Sequence, residues 1–321
     1  MPGILNYELT DYQTAARTYR PELLRLPILG LAAVLPYVTM RPGVRYEEAV
    51  GATALDVELR PYRRNEIQQA DLDLAFRILK TNFGSVNAEF DPNAAISTLM
   101  GHRAALASGD ALQSTPQAHE VIALTPKAIG RKLLAALCKA KHNPAGNTTM
   151  DLFDGFDTIT DQEVAAGNIS SSNGNYLMLS EAPDKTNAVD VMQEILYSLS
   201  PELRAEKCYV YCPQSVLDAY NKAYKLESGA VIYNDKYAQT SVEGSDGNLV
   251  FVPMVSKAGS KYIHVCPREN MLIGCDQVSD QESIRIGNYS PDTFMVMLRM
   301  FFGVQFESID PRRFFCAEIP A

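Results

Sequence analysis

The sequence contains none of the short motifs that usually indicate catalysis or nucleotide binding. It has no Gly-x-x-x-x-Gly-Lys, no Gly-x-Gly-x-x-Gly, no Gly-x-Ser-x-Gly and no His-Glu-x-x-His. Because catalytic triads are recognised by geometry and not by sequence, these absences do not exclude catalysis. They leave no sequence reason to propose an enzyme, and we predict no catalytic residue, no cofactor and no metal site.

The residues that could bind a metal are poorly arranged for it. The four histidines are far apart in the sequence: His102, His119, His142 and His264. We expect each of them to be structural or exposed. The stretch 151–163 is rich in carboxylates, but a calcium loop starting at Asp151 would have Phe153 and Gly155 at two ligand positions. We therefore interpret this stretch as an acidic turn.

The chain also lacks an excess of positive charge and a long apolar run. Its formal net charge of −9 argues against a dedicated nucleic-acid-binding protein, which needs Lys and Arg to displace counterions. The apolar run 28–38 contains Pro36 and is shorter than the roughly 20 residues of a membrane span. Acidic residues precede it, which is unlike a signal peptide. We expect a soluble protein made in the cytosol, without membrane contact.

The six cysteines lack the short spacings of a disulfide framework or a zinc site. Cys208 and Cys212 are close in sequence, but in a strand residues four apart lie roughly 13 Å apart, too far to share a metal or a disulfide. We predict buried free thiols in a reducing compartment.

A strongly amphipathic segment predicts a helix from Thr125 to His142. Thr125 supplies an N-cap oxygen, and Pro126 suits the first helical position. The helix should end at His142, two residues before Pro144, because the residue preceding a proline disfavours the α region. Helical periodicity gathers the apolar residues on one arc: Ile129, Leu133, Leu134 and Leu137.

The remaining arc of this helix is basic. Its members are Lys127, Arg131, Lys132, Lys139 and Lys141. They belong to a segment, residues 91–142, with six Lys and Arg against three Asp and Glu, whereas residues 143–321 have 13 against 24. Taken alone, such a run is most simply a solvated helix face.

The chain before this helix is extended in character. Residues 1–45 are short amphipathic pieces broken by prolines, and we expect them to lie as an arm along another surface. From Tyr46 to about Leu99 apolar residues recur at every second position, which predicts long strands, with an earlier partner near Ala54–Arg60. A long hairpin with little local cover is marginal in water, so its natural partner is another subunit.

The C-terminal half predicts a second unit, a small open sheet with helices packed on it. Asn187 should cap a helix that stops at Ser200 and Pro201. The strand 207–211 follows, and Pro213 then opens a helix to about Leu226. Three apolar strands come next: Leu249–Val255, Lys261–Cys266 and Met271–Cys275. From Thr293 to Phe306 the residues alternate, which favours a long strand.

Several segments, taken in their order along the chain, are similar to those of one known family. They are Arg77–Ser85, Leu152–Ile159, Gly167–Ser170, Cys208–Tyr220, Val252–Lys257, Met271–Asp276 with Ser279–Glu282, and Met300–Ser308. Together they resemble the major capsid proteins of tailed double-stranded DNA bacteriophages, which have the Hong Kong 97-like fold. The resemblance covers residues from about 70 to the end.

The resemblance implies an α+β fold with five parts. These are the N-terminal arm (1–45), the extended E-loop hairpin (46–100), the peripheral domain (101–185, spine helix 125–142), the axial domain (186–278) and a return to the peripheral domain (279–321). The hairpin lies on a neighbouring subunit in this family, through side chains that here would be Leu72, Leu74, Phe76, Ile78 and Phe83. The spine helix lies toward the inside of the shell, so the basic arc would face the packaged genome.

The implied function is a structural subunit that assembles into pentamers and hexamers of an icosahedral shell around phage double-stranded DNA. Expected partners are further copies, a portal, a separate scaffolding protein, a decoration protein and DNA held by non-specific contacts. The protein would be made in the host bacterial cytoplasm and reside in the virion. Two alternatives stay open: an encapsulin-type compartment that encloses cargo enzymes, and a soluble two-lobed enzyme with a site in the polar loop Gly167–Tyr176.

Overall fold

The computed structural model describes residues 9–56, 71–90, 114–227, 240–276, 284–288 and 293–320, which combine helices and sheets in an α+β arrangement. The helices are α1 (Leu9–Thr18), α2 (Arg20–Leu29), α3 (Ser114–Ala136), α4 (Phe156–Ala165), α5 (Ala188–Ser198), α6 (Pro201–Ala205) and α7 (Gln214–Glu227). The strands are β1 (Thr39–Pro42), β2 (Glu47–Asp56), β3 (Asp71–Lys80), β4 (Asn82–Phe90), β5 (Tyr176–Met178), β6 (Cys208–Cys212), β7 (Leu249–Pro253), β8 (Tyr262–Cys266), β9 (Met271–Asp276), β10 (Ile284–Asn288), β11 (Phe294–Phe306) and β12 (Phe315–Glu318).

The first sheet is built around the long strand β11. The N-terminal half of β11 lies between β10 and β4, its C-terminal half pairs with β9, and β1 extends the sheet by pairing parallel to β9. The strand predicted for Thr293–Phe306 is therefore confirmed. Its alternation reflects burial of every second side chain, including Val296, Leu298 and Phe302.

The hairpin is shorter than the sequence predicts. Strands β2 and β3 pair antiparallel from Glu47 opposite Lys80 to Asp56 opposite Asp71, as a separate two-stranded sheet. Strand β4 leaves this hairpin and pairs with β11 instead. The prediction of an uncovered hairpin is thus wrong for residues 82–90, because a strand far along the chain covers them. Residues 57–70 and 91–99 lie outside the described part of the chain.

The second sheet has the order β5-β12-β8-β6-β7, and its central strand β8 is buried on both faces. On β8, Ile263 and Val265 belong to the core formed with helices α5 and α7, whereas Tyr262 and Cys266 belong to the larger core that also contains α3 and β11. The predicted order of helix, strand and helix is confirmed. The sheet therefore forms a layer between two hydrophobic cores.

The spine helix α3 begins and ends earlier than predicted. It starts at Ser114, and Pro126 lies inside it, buried. The predicted start at Thr125 was wrong because a proline also fits inside a helix when packing offsets the hydrogen bond that its ring removes, at a cost of about 3 kcal/mol. Ser114 and Pro116 offer the same combination of a capping residue and a proline at an earlier position in the chain. The predicted continuation to His142 was also wrong.

The chain that follows the end of α3 at Ala136 is held by the start of helix α4. The backbone N–H groups of Gly155, Phe156 and Asp157 donate to the carbonyls of Ala140, Leu137 and Cys138, at 2.8, 3.2 and 2.9 Å. The free N–H donors at the start of α4 are thus satisfied by carbonyls of the turn that follows α3. Gly155 is required there, because a Cβ at this position would overlap the carbonyl of Cys138.

The N-terminal segment packs on the spine helix of the same chain. Helices α1 and α2 contact α3, and the buried residues Ala15, Leu23 and Leu31 join the main core. At the crossing of α2 and α3 a Cβ on Gly130 would lie 2.7 Å from the carbonyl oxygen of Pro27 and 2.9 Å from the Cα of Gly30. The two helices therefore touch backbone to backbone.

The sheets do not follow the residue ranges of the predicted division into five parts. Strand β9, within 186–278, belongs to the first sheet, and β12, within 279–321, belongs to the second sheet. The division into functional parts stays a prediction. In the described part of the chain no helix is long and apolar enough to cross a membrane.

Candidate interaction surfaces and a buried polar joint

The base of the hairpin is fixed to the first sheet of its own chain. The backbone N–H of Thr81 donates to the carbonyl of Tyr46 at 2.7 Å, and its hydroxyl donates to the carbonyl of Val44 at 3.2 Å. Arg45 forms an ion pair with Asp276 at the end of β9. A small separate hydrophobic core lies at the base of the hairpin and consists of Val44, Val50, Leu79 and Leu272. The hairpin therefore leaves the subunit from a rigid base.

The two faces of β3 near this base have opposite environments. Leu79 is fully buried, and the Nη2 of Arg77 lies 2.6 Å from the Oε1 of Glu163 and 3.2 Å from the Oε1 of Gln305. On the other face Phe76 and Ile78 are 65% and 48% exposed. One face is thus committed to the protein's own fold, while the other presents large apolar side chains to solvent.

The structure describes the side chain of one of the three other residues predicted to make hairpin contacts, Phe83. Phe83 is half exposed and lies in a small aromatic patch, with ring centroids 5.0 Å from Phe301, which is itself 5.1 Å from Tyr46. Tyr46 has a positive φ of 67°, a conformation that is unfavourable for a bulky residue. Leu72 and Leu74 precede Phe76 on the same strand, β3, but their side chains lie outside the described part of the structure.

The predicted basic residues are all exposed, but they do not all lie on a helix. Lys127, Arg131 and Lys132 lie on α3, whereas Lys139 and Lys141 follow its end. The ammonium of Lys139 donates to the carbonyl of Ala258. The five cationic side chains lie within fifteen residues of sequence, and whether they form one surface, and what faces it in an assembly, stays a prediction.

A buried ion pair joins helix α4 to the turn before strand β8. The ammonium of Lys257, completely buried, donates to Asp157 Oδ1 at 2.8 Å and to the carbonyl of Tyr262 at 2.9 Å. Burial alone would lower the pKa of Lys257, but attraction to Asp157 outweighs it and raises the pKa overall. Lys257 therefore stays charged, as half of an ion pair between α4 and the turn before β8.

A buried histidine completes this polar joint, which we define as Asp157, Thr160, Lys257 and His264. The Oγ1 of Thr160 lies 2.9 Å from the Nε2 of His264. Burial, followed by repulsion from Lys257, holds the pKa of His264 well below its usual range. The ring is therefore neutral near pH 7. Nearby, the hydroxyl of Tyr262 donates to Asp161 at 2.7 Å, which adds a further link between α4 and β8.

Sequence reasoning missed this joint. It treated Asp157 as part of an acidic turn, Lys257 as part of a strand connection and His264 as structural or exposed. His264 is completely buried. The partnership was invisible because 100 residues separate Lys257 from Asp157, and no local pattern reports such a pairing.

The other carboxylates of the acidic turn are used locally. Asp151 accepts hydrogen bonds from the hydroxyl and the backbone N–H of Thr148, at 2.5 and 3.0 Å, and these lower the pKa of Asp151. Asp154 accepts from the backbone N–H of His142 at 2.9 Å. These contacts agree with an acidic turn. Within the described ranges no group of three or more His, Cys, Asp or Glu could hold a metal ion.

The polar loop considered for an enzyme site uses its amides to hold itself together. Asn175 is buried and donates to the carbonyls of Asn168 and Ile309, at 3.1 and 2.8 Å, while its oxygen accepts from the N–H of Ser170. The arrangement is that of a structured connection.

The cysteines are buried free thiols, as predicted. Burial raises the pKa of Cys138, Cys208 and Cys212 to about 12, so none of these three is a thiolate near pH 7.

No protein-family model and no curated protein sequence matches the chain. Solved structures do match it. A chain of the satellite phage P4 procapsid including size determination (Sid) protein has a TM-score of 0.60 and 12% identity, covering 93% of this chain and 90% of that one. The cyanophage A-1(L) capsid gives 0.53 and 11%, with 92% of both chains covered. The capsid of an empty GTA particle gives 0.51 and 12%, with 90% and 96% covered. The chain therefore has the Hong Kong 97-like fold of phage major capsid proteins.

Proposed function

We propose that this chain is a major capsid protein that assembles into the pentamers and hexamers of an icosahedral shell around phage double-stranded DNA. The observation that carries this proposal is the uncovered apolar face of β3, where Phe76 and Ile78 are exposed on a strand that is anchored from behind. A protein that works as a monomer rarely exposes such a face. The solved structures with the same fold named above come from particles, which supports the same conclusion.

The hairpin would act as the main contact between neighbouring subunits. Covering a Phe or Ile side chain contributes about 1.5 to 3 kcal/mol. One such contact is weak after the entropy of association is subtracted. In a closed shell each subunit both gives and receives this contact, so many weak contacts add up. The rigid base at Thr81 and Arg45 limits the entropy that the hairpin loses when it docks.

The basic surface formed by Lys127, Arg131, Lys132, Lys139 and Lys141 would face the packaged DNA. It offsets repulsion between phosphates and a chain whose net charge is −9. Contacts of this kind are independent of base sequence and weaken with salt.

The proposal includes the expected partners and place of action. A portal, a separate scaffolding protein and a decoration protein would act with the shell, which forms in the host bacterial cytoplasm and persists as the virion capsid. Efficient assembly of closed shells from this chain alone would contradict the separate scaffolding protein.

The test of assembly is a hairpin variant. We expect the wild-type protein alone to form pentamers and hexamers in analytical ultracentrifugation and negative-stain microscopy, and closed shells only together with the scaffolding protein. Phe76→Ser with Ile78→Ser should leave the 35.4 kDa monomer, with an almost unchanged melting temperature because both side chains are exposed. Phe76→Tyr with Ile78→Val is the matched control and should still assemble. A wild-type protein that stays monomeric at every concentration would overturn the proposal and favour the soluble enzyme.

The test for DNA is the content of purified particles. Without tryptophan the protein absorbs weakly at 280 nm, so the ratio of absorbance at 260 and 280 nm is a sensitive measure of nucleic acid. We expect DNA that is protected from nuclease. Replacing Lys127, Arg131 and Lys132 by Gln should reduce it, whereas the same change at the exposed Lys207, Lys222 and Lys225 should not. Particles that contain cargo enzymes and no DNA would favour the encapsulin-type alternative.

A further inference from the structure

Two buried side-chain atoms of the polar joint lack a hydrogen-bond partner among the described protein groups. Asp157 Oδ1 receives the ammonium of Lys257, but Asp157 Oδ2 has no hydrogen-bond partner among the described protein groups. The Nδ1 of His264 has none either, and it lies 3.9 Å from Asp157 Oδ1. Both side chains are at least nine-tenths buried. Leaving two such buried atoms without a hydrogen bond is unfavourable, because each loses its contact with water and gains none in return.

The hydrogen bonds of Thr160 fix the tautomer of His264. The hydroxyl of Thr160 lies 2.9 Å from the carbonyl of Phe156, which has no proton to give, so the hydroxyl donates its single hydrogen there. The same oxygen lies 2.9 Å from His264 Nε2 and must therefore accept at that contact. Nε2 carries the proton, and in the neutral ring Nδ1 presents a lone pair toward Asp157.

Protonation of both ring nitrogens of His264 does not supply the missing hydrogen bond near neutral pH. Burial and the ammonium of Lys257 both disfavour a second positive charge in this pocket. The titratable groups opposite His264 on the neighbouring strands are Tyr211 of β6 and Cys316 of β12. Burial raises the pKa of both, so neither supplies a negative charge. Tyr262, two residues away on β8, is also neutral, since burial raises its pKa. Of the groups named here, Asp157 is the anion, and Lys257 already balances it.

We propose that one water molecule binds between Asp157 Oδ2 and His264 Nδ1 and donates one hydrogen to each. Water is the smallest ligand with two donors, and acceptors that share one water lie about 4 to 5 Å apart. His264 Nδ1 lies 3.9 Å from Oδ1, the other oxygen of the same carboxylate, so the two side chains are close enough for one water molecule to reach both. With this water the joint becomes one connected network from α4 through β8 to the turn at Lys257, with every member satisfied.

High-resolution density of the intact protein, by cryo-electron microscopy or crystallography, tests the site. We expect a peak within hydrogen-bond distance of both Asp157 Oδ2 and His264 Nδ1. Direct contact between the two side chains, or no density between them, would overturn the proposal. Asp157→Asn should abolish the peak, because an amide N–H can donate to Nδ1 directly. His142→Gln, at an exposed histidine, is the control and should retain it.

Nitrogen NMR of the wild-type protein provides a second measurement that needs no variant to fold. With four histidines in the chain the spectrum is simple, and comparison with His264→Gln identifies the signal. We expect the neutral tautomer protonated at Nε2 at pH 7. A ring protonated at Nδ1, alone or together with Nε2, would overturn the proposal, since Nδ1 could then donate to Asp157 without a water.

Discussion

Gly274 and Gly303 lie opposite each other on β9 and β11, and their missing side chains leave the space in which the base of the hairpin crosses the first sheet. A Cβ on Gly274 would lie 2.8 Å from the methyl group of Thr81 and 3.0 Å from a methyl group of Leu79. A Cβ on Gly303 would overlap the carbonyl oxygen of Lys80. The position of the hairpin therefore depends on two glycines in strands that are distant from it in sequence.

Gly303→Ala should lower the free energy of unfolding by about 3 kcal/mol, because the added methyl group meets a backbone carbonyl that cannot move aside. Urea unfolding followed by circular dichroism measures the loss. Gly287→Ala is the matched control, since it also lies in a strand of the first sheet and a Cβ there meets nothing within 4 Å. Equal midpoints for the two variants would contradict the crossing.

Gly130→Ala should destabilise the protein, although the same change in an exposed helix position normally stabilises by about 1 kcal/mol. The reversal follows from the backbone contact with Pro27 and Gly30. Thermal unfolding gives the sign. Ala128→Gly, at an exposed position two residues away, should show the ordinary preference and lower stability by about 1 kcal/mol. A rise in stability for Gly130→Ala would show that α2 does not press on α3.

Removing one partner of the buried ion pair should cost about 3 to 5 kcal/mol, because the other charge is left buried without compensation. Lys257→Met and Asp157→Asn test this separately, and their combination in a double-mutant cycle gives the coupling between them. The exposed pair of Lys80 and Glu47, 3.3 Å apart, serves as the comparison and should couple by less than about 1 kcal/mol. Similar coupling in both pairs would be inconsistent with a buried joint.

The stability of the folded chain should fall as the pH drops below about 6.5, the ordinary pKa of histidine. Burial holds the pKa of His264 well below that value in the folded state, so the unfolded state takes up a proton first. The contribution is complete above pH 6.5 and is lost as the pH falls toward the folded-state pKa. The difference between wild type and His264→Gln isolates it, because other groups titrate in both proteins. Parallel pH curves would refute the assignment.

Local patterns predicted the elements whose burial alternates regularly. The strand at 293–306 and the helix after Asn187 follow directly from the spacing of their apolar residues, since each buries one face against a single core. The patterns failed where two local signals were equivalent, as at Pro116 and Pro126. The packing of α1 and α2 on the spine helix is tertiary, and no local pattern reports it.

The candidate surfaces were predicted only where local periodicity determines them. Exposed apolar residues at every second position indicated an uncovered face at Phe76 and Ile78, and the structure leaves these side chains exposed. The loss of β4 from the hairpin could not be predicted, because its partner lies on β11. The polar joint depends on four residues from three separate segments, and no periodicity connects them.

The central position of β11 has a consequence for incomplete chains. A fragment terminated before Phe294 lacks the strand that pairs with β4, β9 and β10, so these three strands lose their common partner, and Gly303 is not present to receive the hairpin. Most pairings of this sheet join residues that are distant in sequence, which delays its closure during folding. Products of interrupted translation therefore lack the anchored hairpin. Their unpaired strands are exposed, so cellular proteases can distinguish these products from complete chains.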